Sequence, residues 1–195
     1  MLVTSDITAA KKRFLSRTAR YSGLLNVLDF AEADMSAESL KKVLDGANAW
    51  IAFDLPRPSI VELSAVALAA GVKRLVVTTS LPISDINSTS IPEFDSAEAA
   101  FEEKGAAFTG IRHGDIVDGN EDNAYEIVNS TVPCLDSFVE RGVLARVSAE
   151  LLRVDVSANS QCGLSASGSF AAAYLNILRG SGNLTPRSLG QPTST

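Results

Sequence analysis

Polar side chains that could bind a ligand follow two apolar segments of strand-like composition. Thr79 and Ser80 come at the end of the β-branched segment 73–79, and His113 follows the segment 107–112. Ligands of open α/β sheets bind outside the carboxyl ends of the strands, so these three residues are candidates for a binding site. Thr79 and Ser80 could equally serve only to close the strand, and both interpretations stay open.

His113 is the sole histidine and so the only imidazole that could act as an acid or a base. The spacing assembles no serine, cysteine or carboxylate around it, so we do not predict that it is catalytic. The two cysteines, Cys134 and Cys162, show no metal spacing, and no metal site is predicted. We expect Cys162 to be a small buried residue rather than a nucleophile.

Strand-like and helix-like segments alternate along the first 112 residues. Short apolar segments predict strands, and apolar residues at helical spacing behind a capping side chain predict helices. The predicted strands are 2–5, 24–28, 49–53, 73–79 and 107–112, and the helices between them begin after Asp6, Ser36, Ser59 and Asp95. At the last of these starts, Asp95 and Glu98 have the spacing of a capping box. This alternation predicts an α/β fold with a mostly parallel sheet and helices on both faces.

The alternation weakens after residue 113. There the sequence predicts a loop, a helix at 135–141, strands at 143–147 and 151–156, and a last helix at 170–178. Residues 180–195 are rich in glycine, serine, threonine and proline, which predicts a flexible tail. We therefore expect a single domain over residues 1–179.

Composition excludes several classes of partner. The net charge is −6, which argues against nucleic acid because phosphate binding draws on clustered lysine and arginine. A basic stretch within residues 1–24 could face a phosphate or an acidic partner, although a solvated helix face explains it as well. The sequence shows neither a membrane-length apolar segment nor a signal peptide, so we expect a protein that does not span a membrane. Two cysteines without a disulfide framework predict a reducing intracellular compartment.

Two stretches resemble the atypical short-chain dehydrogenases of the NmrA-like family. They are Leu44-Asp45-Gly46-Ala47-Asn48-Ala49-Trp50-Ile51 and the segment 69–80, which reads Ala-Ala-Gly-Val-Lys-Arg-Leu-Val-Val-Thr-Thr-Ser. In that family a helix ends in a Gly-Val/Ala-Asp turn before the fourth strand, and an Ala-Gly-Val-Lys-Arg segment leads into the fifth. The resemblance covers about residues 1–115 and implies a Rossmann-like fold that could bind NAD or NADP.

The resemblance places Leu2-Val3 at the family's second strand, so the first strand and its glycine-rich turn would precede Met1. In a sheet of order 3-2-1-4-5-6 the first strand is central, and its loop holds the pyrophosphate of the cofactor. Three explanations stay open. The given sequence starts later than the whole chain, strands two and four pair directly, or a partner supplies the missing strand.

The resemblance also implies which residues would contact a dinucleotide. Asp34-Met35 correspond to the family's Asp-Leu beside the adenine, and Phe53-Asp54-Leu55 would lie beside a ribose. Together with the strand-end residues, the implied cofactor-binding set is Asp34, Met35, Phe53, Asp54, Leu55, Thr79, Ser80 and His113. Asp34 and Asp54 could also be ordinary turn residues.

The catalytic motif of the enzymatic short-chain dehydrogenases does not occur in the sequence. Those enzymes use a tyrosine made acidic by a lysine four residues on, whereas the first tyrosine after Ser80 is Tyr125, with no lysine at that spacing. We therefore expect a noncatalytic or weakly catalytic binding or scaffold subunit of a larger assembly, with a protein partner. The alternatives are an NAD(P)-dependent oxidoreductase and an NmrA-like redox sensor. Assembly subunits of this family also occur in plastids, so both the cytoplasm and the plastid stroma are expected compartments.

Overall fold

The computed structural model describes residues 1–16, 28–81, 91–119, 125–129, 138–154 and 160–165. The strands within these ranges are β1 (Leu2–Thr4), β2 (Phe30–Glu32), β3 (Ala49–Ala52), β4 (Arg74–Ser80), β5 (Ala107–His113), β6 (Asp115–Val117), β7 (Glu126–Asn129), β8 (Phe138–Glu140) and β9 (Ser160–Ser165). The helices are α1 (Ile7–Ser16), α2 (Ala37–Leu44), α3 (Arg57–Ala69), α4 (Pro92–Glu103) and α5 (Arg141–Arg153). None of these described helices is both long enough and apolar enough to cross a bilayer.

The first strands form a two-stranded parallel sheet, β1-β2, in which Leu2 lies opposite Phe30 and Thr4 opposite Glu32. The helices that follow begin where the sequence predicts. An Asp6 carboxylate oxygen accepts a hydrogen bond from the Ala9 N–H at 2.8 Å, and the Ser36 hydroxyl accepts one from the Ser39 N–H at 3.3 Å. The predicted strand 24–28 lies largely outside the described residues, and the strand that is described begins later, at Phe30.

A second sheet has the order β3-β4-β5-β9-β7. Its first four strands run parallel, and β7 is antiparallel to β9. The register places Trp50 opposite Leu75 and Ser80 opposite His113, so the carboxyl ends of neighbouring strands meet at one edge of the sheet. A third, two-stranded sheet pairs β6 with β8. The predicted α/β fold with a mostly parallel sheet is therefore confirmed.

Helices cover both faces of the five-stranded sheet. Alternate residues of β4 point to opposite faces: Leu75 and Val77 join a core cluster formed with α2, α3 and α4, whereas Val76 joins a second cluster formed with α5. In the first cluster the Phe94 and Phe101 rings of α4 lie 5.7 and 5.9 Å from the Phe108 ring of β5. The prediction of helices on both faces is confirmed.

The β1-β2 sheet and the five-stranded sheet share a core, but no described strand of one is hydrogen-bonded to a described strand of the other. Val3 of β1 and Trp50 of β3 pack against the same cluster, which also contains Ala33 and Leu55. Within the described residues β1 pairs only with β2, and β3 pairs only with β4. The direct pairing of strands two and four is therefore not found, and the sheet order is interrupted where the resemblance places the first strand.

Three local predictions were wrong. Where the predicted helix 135–141 is described, residues 138–140 form strand β8, and helix α5 begins only at Arg141. Helix α4 begins at Pro92, behind Ile91, without a side-chain cap. Asp95 and Glu98 therefore do not form the predicted capping box, because proline already fixes the backbone φ that the first helical turn needs. The segments predicted as strands, 143–147 and 151–156, lie instead largely in α5, whose Val143, Val147 and Leu151 recur at helical spacing and are buried. The predictions for 170–178 and 180–195 fall outside the described residues.

Candidate functional site

All eight predicted contact residues lie at or just beyond the carboxyl ends of parallel strands. Asp34 and Met35 follow β2, residues 53–55 follow β3, Thr79 and Ser80 end β4, and His113 ends β5. Met35 and Asp54 adopt φ values of 63° and 51°, and they are the only non-glycine residues with positive φ among those described. A left-handed conformation costs energy for an L-residue and is often found at ligand sites.

The turn after β3 is held to the end of β4 by three hydrogen bonds. The Asp54 N–H donates to the Thr78 hydroxyl at 2.8 Å, and the Leu55 N–H donates to the Thr78 carbonyl at 2.8 Å. The Thr79 hydroxyl, buried between the strands, donates to the Leu55 carbonyl at 2.7 Å. These bonds fix the left-handed backbone of Asp54 while its carboxylate stays exposed.

Ser80 and His113 are neighbours across β4 and β5. The Leu81 N–H donates to the His113 carbonyl at 2.8 Å, which continues the pairing one residue past Ser80. Ser80 is half-buried, whereas His113 is completely buried. The register thus places a serine hydroxyl and an imidazole at the same strand edge.

His113 is held as a neutral ring. Its Nδ1 lies 2.6 Å from the Gly114 carbonyl oxygen, so Nδ1 carries the proton and donates it. Burial lowers the pKa of His113, and this outweighs the opposite effects of the Gly114 carbonyl and of the Asp54 and Asp115 carboxylates. Its buried Nε2 has no hydrogen-bond partner among the described residues. A neutral ring of this tautomer can accept a proton or a hydrogen bond at Nε2.

Asp34 and Met35 lie on the other sheet, and the described hydrogen bonds of Asp34 are local. Hydrogen bonds from the Ser36 hydroxyl and the Ser36 N–H hold the pKa of the Asp34 carboxyl below its usual value. The Ser36 N–H lies 3.0 Å from an Asp34 oxygen. The structure therefore brings residues 53–55, Thr79, Ser80 and His113 together, whereas Asp34 and Met35 end the other sheet, next to Ala33, which lies in the same core cluster as Leu55.

Two residues of the site were missed by sequence reasoning. Thr78 makes two of the three bonds that anchor the Asp54 turn, yet only Thr79 and Ser80 were singled out from that strand end. Arg112, opposite Thr79 in the register, is completely buried in spite of its charge. The strand alternation carries the signal for Thr78, because Thr78 and Ser80 share a face. For Arg112 no sequence signal exists, since arginine is seldom fully buried.

The described side chains offer oxygen and nitrogen acceptors rather than a metal site. No cluster of three or more metal-binding side chains occurs among the described residues. The exposed Asp54 carboxylate can accept hydrogen bonds from the hydroxyl groups of a ligand, whereas the Nε2 acceptor of His113 is buried beneath the edge. The edge is therefore suited to a ligand rich in hydroxyl groups.

Comparison with known proteins gives neighbours in structure but no match in sequence. Neither a protein-family model nor a curated protein matches the sequence. A Rossmann-fold NAD(P)-binding family protein from Shigella flexneri superposes with a TM-score of 0.54 at 21% identity over 72% of each chain. A short-chain dehydrogenase/reductase from Veillonella parvula DSM 2008, solved in complex with NADP, gives a TM-score of 0.56 at 12% identity over 83% of this chain and 89% of that one.

The chuY protein from E. coli CFT073 gives a TM-score of 0.57 at 14% identity, over 84% of this chain and 94% of that one. At these identities the likeness is one of fold alone. It shows that the chain has the Rossmann-like fold of NAD(P)-binding short-chain dehydrogenase-like proteins, as the resemblance of the two sequence stretches implies.

Proposed function

We propose that this Rossmann-like protein is a noncatalytic or weakly catalytic binding subunit, and that it works within a larger protein assembly. The proposal depends chiefly on one observation: a left-handed, exposed Asp54 and a buried, neutral His113 share a strand edge whose phosphate-binding side is interrupted. That edge can contact part of a dinucleotide. Among the described residues, the edge lacks groups that would hold the phosphates of the dinucleotide.

The described residues fit the sugar end of a dinucleotide better than its phosphates. The Asp34 and Asp54 carboxylates are exposed and can accept hydrogen bonds from ribose hydroxyls. Pyrophosphate is usually held by a glycine-rich turn that opens a helix, and none of the described helices begins in such a turn. A bound nicotinamide dinucleotide would supply hydride transfer. Its phosphates would have to be held by groups outside the described residues or on a partner.

The tyrosine and lysine chemistry of the related enzymes has no counterpart in the sequence. Tyr21, Tyr125 and Tyr174 are followed four residues later by leucine, asparagine and leucine, not by the lysine that makes the phenol acidic. His113 is the one imidazole of the sequence and lies at the edge beside the Asp54 carboxylate. Because burial lowers its pKa, His113 is neutral at pH 7 and is a poor proton donor there.

Calorimetric titration of the 195-residue protein with NADPH and NADH tests this proposal. We expect no binding in the micromolar range by the protein alone, and co-purification of the native protein in a stoichiometric complex. Micromolar binding of either dinucleotide would overturn the scaffold role. A native protein that is monomeric and free of partners would overturn it as well.

An NAD(P)-dependent oxidoreductase is the second candidate. It is favoured by the fold shared with the Veillonella protein, which was solved with NADP. If dinucleotide binds, Asp54→Asn should weaken binding at least tenfold through loss of a charged hydrogen bond to a ribose. Asp45→Asn, an exposed acid at the opposite end of β3, should leave binding unchanged. Equal effects of the two substitutions would remove Asp54 from the site.

Two further expectations belong to the same proposal. We propose a single domain over residues 1–179 and a flexible tail over 180–195, which limited proteolysis followed by mass spectrometry would test. We also propose a reducing compartment, the cytoplasm or the plastid stroma, since Cys162 is a free, buried thiol. Localisation of the tagged whole protein in its native cell would decide between the two.

A further inference from the structure

The interruption between β1 and β3, which we name the strand slot, has the features of a site that takes up a strand. Each of the two flanking strands has a single hydrogen-bonded neighbour among the described residues, β2 for β1 and β4 for β3. On the other side of each strand, the backbone N–H and C=O groups have no ladder partner among the described residues. Such edges recruit extended polypeptide, because unpaired backbone groups next to a core are costly.

The residues of β3 are those of an interior strand. The sequence Ala49-Trp50-Ile51-Ala52-Phe53 is uniformly apolar, as in parallel strands that are covered on both faces. Yet only Ala52 among them is buried, and Phe53 is 48% exposed. The neighbouring β4, which has strands on both sides, has five of its seven residues buried. The exposure of β3 is therefore explained if one strand is lacking on its open side.

The strand slot lies next to the first buried core cluster. Val3 on one side and Trp50 on the other pack against the same buried cluster, so a strand between them would extend an existing core. In the sheet order of this fold, one strand lies between the strands that correspond to β1 and β3.

The occupant must have two free edges. Every described strand of this chain already has at least one neighbour, so a described strand of a second copy could pair with β1 or with β3 but not with both. An extended segment that belongs to no sheet can pair with both strands at once. With β1 and β3 paired over three and four residues, about four occupant residues would be enclosed.

The charges around the slot favour basic residues at one end of the occupant. Exposed acids stand just beyond the two strands that border the slot, Asp6 after β1 and Asp54 after β3, and a third, Asp34, follows β2, the neighbour of β1. The described turns 4–6, 32–36 and 53–56 contain no basic residue. A segment with basic residues at its carboxyl-terminal end would be attracted to this end of the slot.

We propose that the strand slot binds an extended, apolar segment of a partner protein, followed by basic residues, which completes the sheet by strand addition. This inference names the contact through which the assembly of the proposed function forms, and in that respect it rests on that function. Its test is independent of dinucleotide binding, so the two can fail separately.

Trp50 is the only tryptophan of the chain and lies in β3, so its fluorescence reports occupation of the slot. The probe is the peptide acetyl-Ser-Val-Ile-Val-Val-Lys-Lys-amide, added to the 195-residue protein. We expect a saturable shift of the emission to shorter wavelength, because Trp50 becomes enclosed. Replacing the isoleucine with proline, which removes a backbone N–H, should weaken binding at least tenfold. Replacing both lysines with glutamates should weaken it in a salt-dependent way.

Hydrogen exchange supplies the second readout. The peptide should slow amide exchange in both β1 and β3 and leave β7, which forms the other edge of the five-stranded sheet among the described strands, unchanged. Absence of a shift, an equal response to the proline peptide, or protection of β7 would overturn the proposal. So would an emission shift that follows protein concentration without peptide, which would indicate a second copy. A native protein heavier than 20.5 kDa, whose additional segment already protects β1 and β3, would overturn it too.

Discussion

The Thr79 hydroxyl tests whether the strand-end residues serve the fold, a ligand or both. It is almost completely buried and donates a 2.7 Å hydrogen bond to the Leu55 carbonyl. Leu55 is buried as well. Thr79→Val keeps the shape of the side chain and removes the donor, so the Leu55 carbonyl is left in a buried position without this bond.

The size of the effect depends on the burial of both partners. Leaving a buried acceptor unsatisfied costs about 1–3 kcal/mol. The extra methyl of valine recovers part of this loss by burial, about 1 kcal/mol at most. We therefore expect Thr79→Val to lower the free energy of unfolding by about 1–2 kcal/mol, which for a chain of this length lowers Tm by roughly 2–8 °C.

Urea denaturation followed by Trp50 fluorescence measures this change, and hydrogen exchange locates it. Exchange of the Asp54 and Leu55 amides should accelerate in Thr79→Val, because the turn after β3 loses its anchor. Thr79→Ser keeps the hydroxyl and should preserve slow exchange at both amides, even if the lost methyl lowers stability. If Thr79→Val is as stable as the wild type, or if both variants loosen the turn equally, the hydroxyl does not anchor the turn.

Three other predictions concern packing and charge. In Gly110→Ala the new methyl would come within 2.7 and 2.8 Å of Phe94 ring carbons, so we expect the free energy of unfolding, measured by urea denaturation, to fall by about 1–3 kcal/mol. Adding Phe94→Leu should recover part of this loss, and strictly additive effects of the two substitutions would contradict the clash. Burial lowers the pKa of His113 from 6.5, so the unfolded chain binds the proton more readily and the free energy of unfolding should fall as the pH drops below about 6.5. His113→Gln should flatten this part of the stability profile, and an unchanged profile would show that His113 is not its cause. Arg57 and Glu93 form a 3.1 Å ion pair between α3 and α4, with about a third of each side chain exposed. Glu93→Gln should therefore lower the free energy of unfolding by less than about 1 kcal/mol in the same assay, and a larger decrease would show that the pair is shielded from solvent.

The central strands could be predicted because their signals are local. β4 is rich in β-branched residues and ends before a turn, and the structure places its boundaries within one residue of the predicted ones. The apolar segments of β3 and β5 are equally short and clearly bounded. Because parallel strands bring their carboxyl ends to one edge, locating the strands was sufficient to locate Thr79, Ser80 and His113 together.

Where prediction failed, the deciding contact was tertiary. Residues 143–147 have strand-like composition, but Val143, Leu144 and Val147 pack as a helix face against the second core cluster, which composition cannot reveal. The start of α4 failed because two signals compete: Asp95 with Glu98 matches a capping box, and Pro92 suits the first helical position. The bonds that anchor the Asp54 turn join residues 23 or 24 apart in sequence, so no local sequence pattern predicts them.

The strand slot and the candidate site share residues, and this links assembly to ligand binding. Met35 and Asp54, the two left-handed residues, stand at the ends of β2 and β3, in the sheets on either side of the slot. Among the described residues, the hydrogen bonds that anchor the Asp54 turn run towards β4, to Thr78 and Thr79, and the opposite side of β3 borders the interruption. A strand in the slot would supply neighbours on that side and thereby reduce the entropy that a ligand must remove on binding Asp54. A segment that fills the slot without pairing its basic residues with Asp54 should therefore strengthen ligand binding at the strand edge, and by linkage the ligand should strengthen assembly by the same factor.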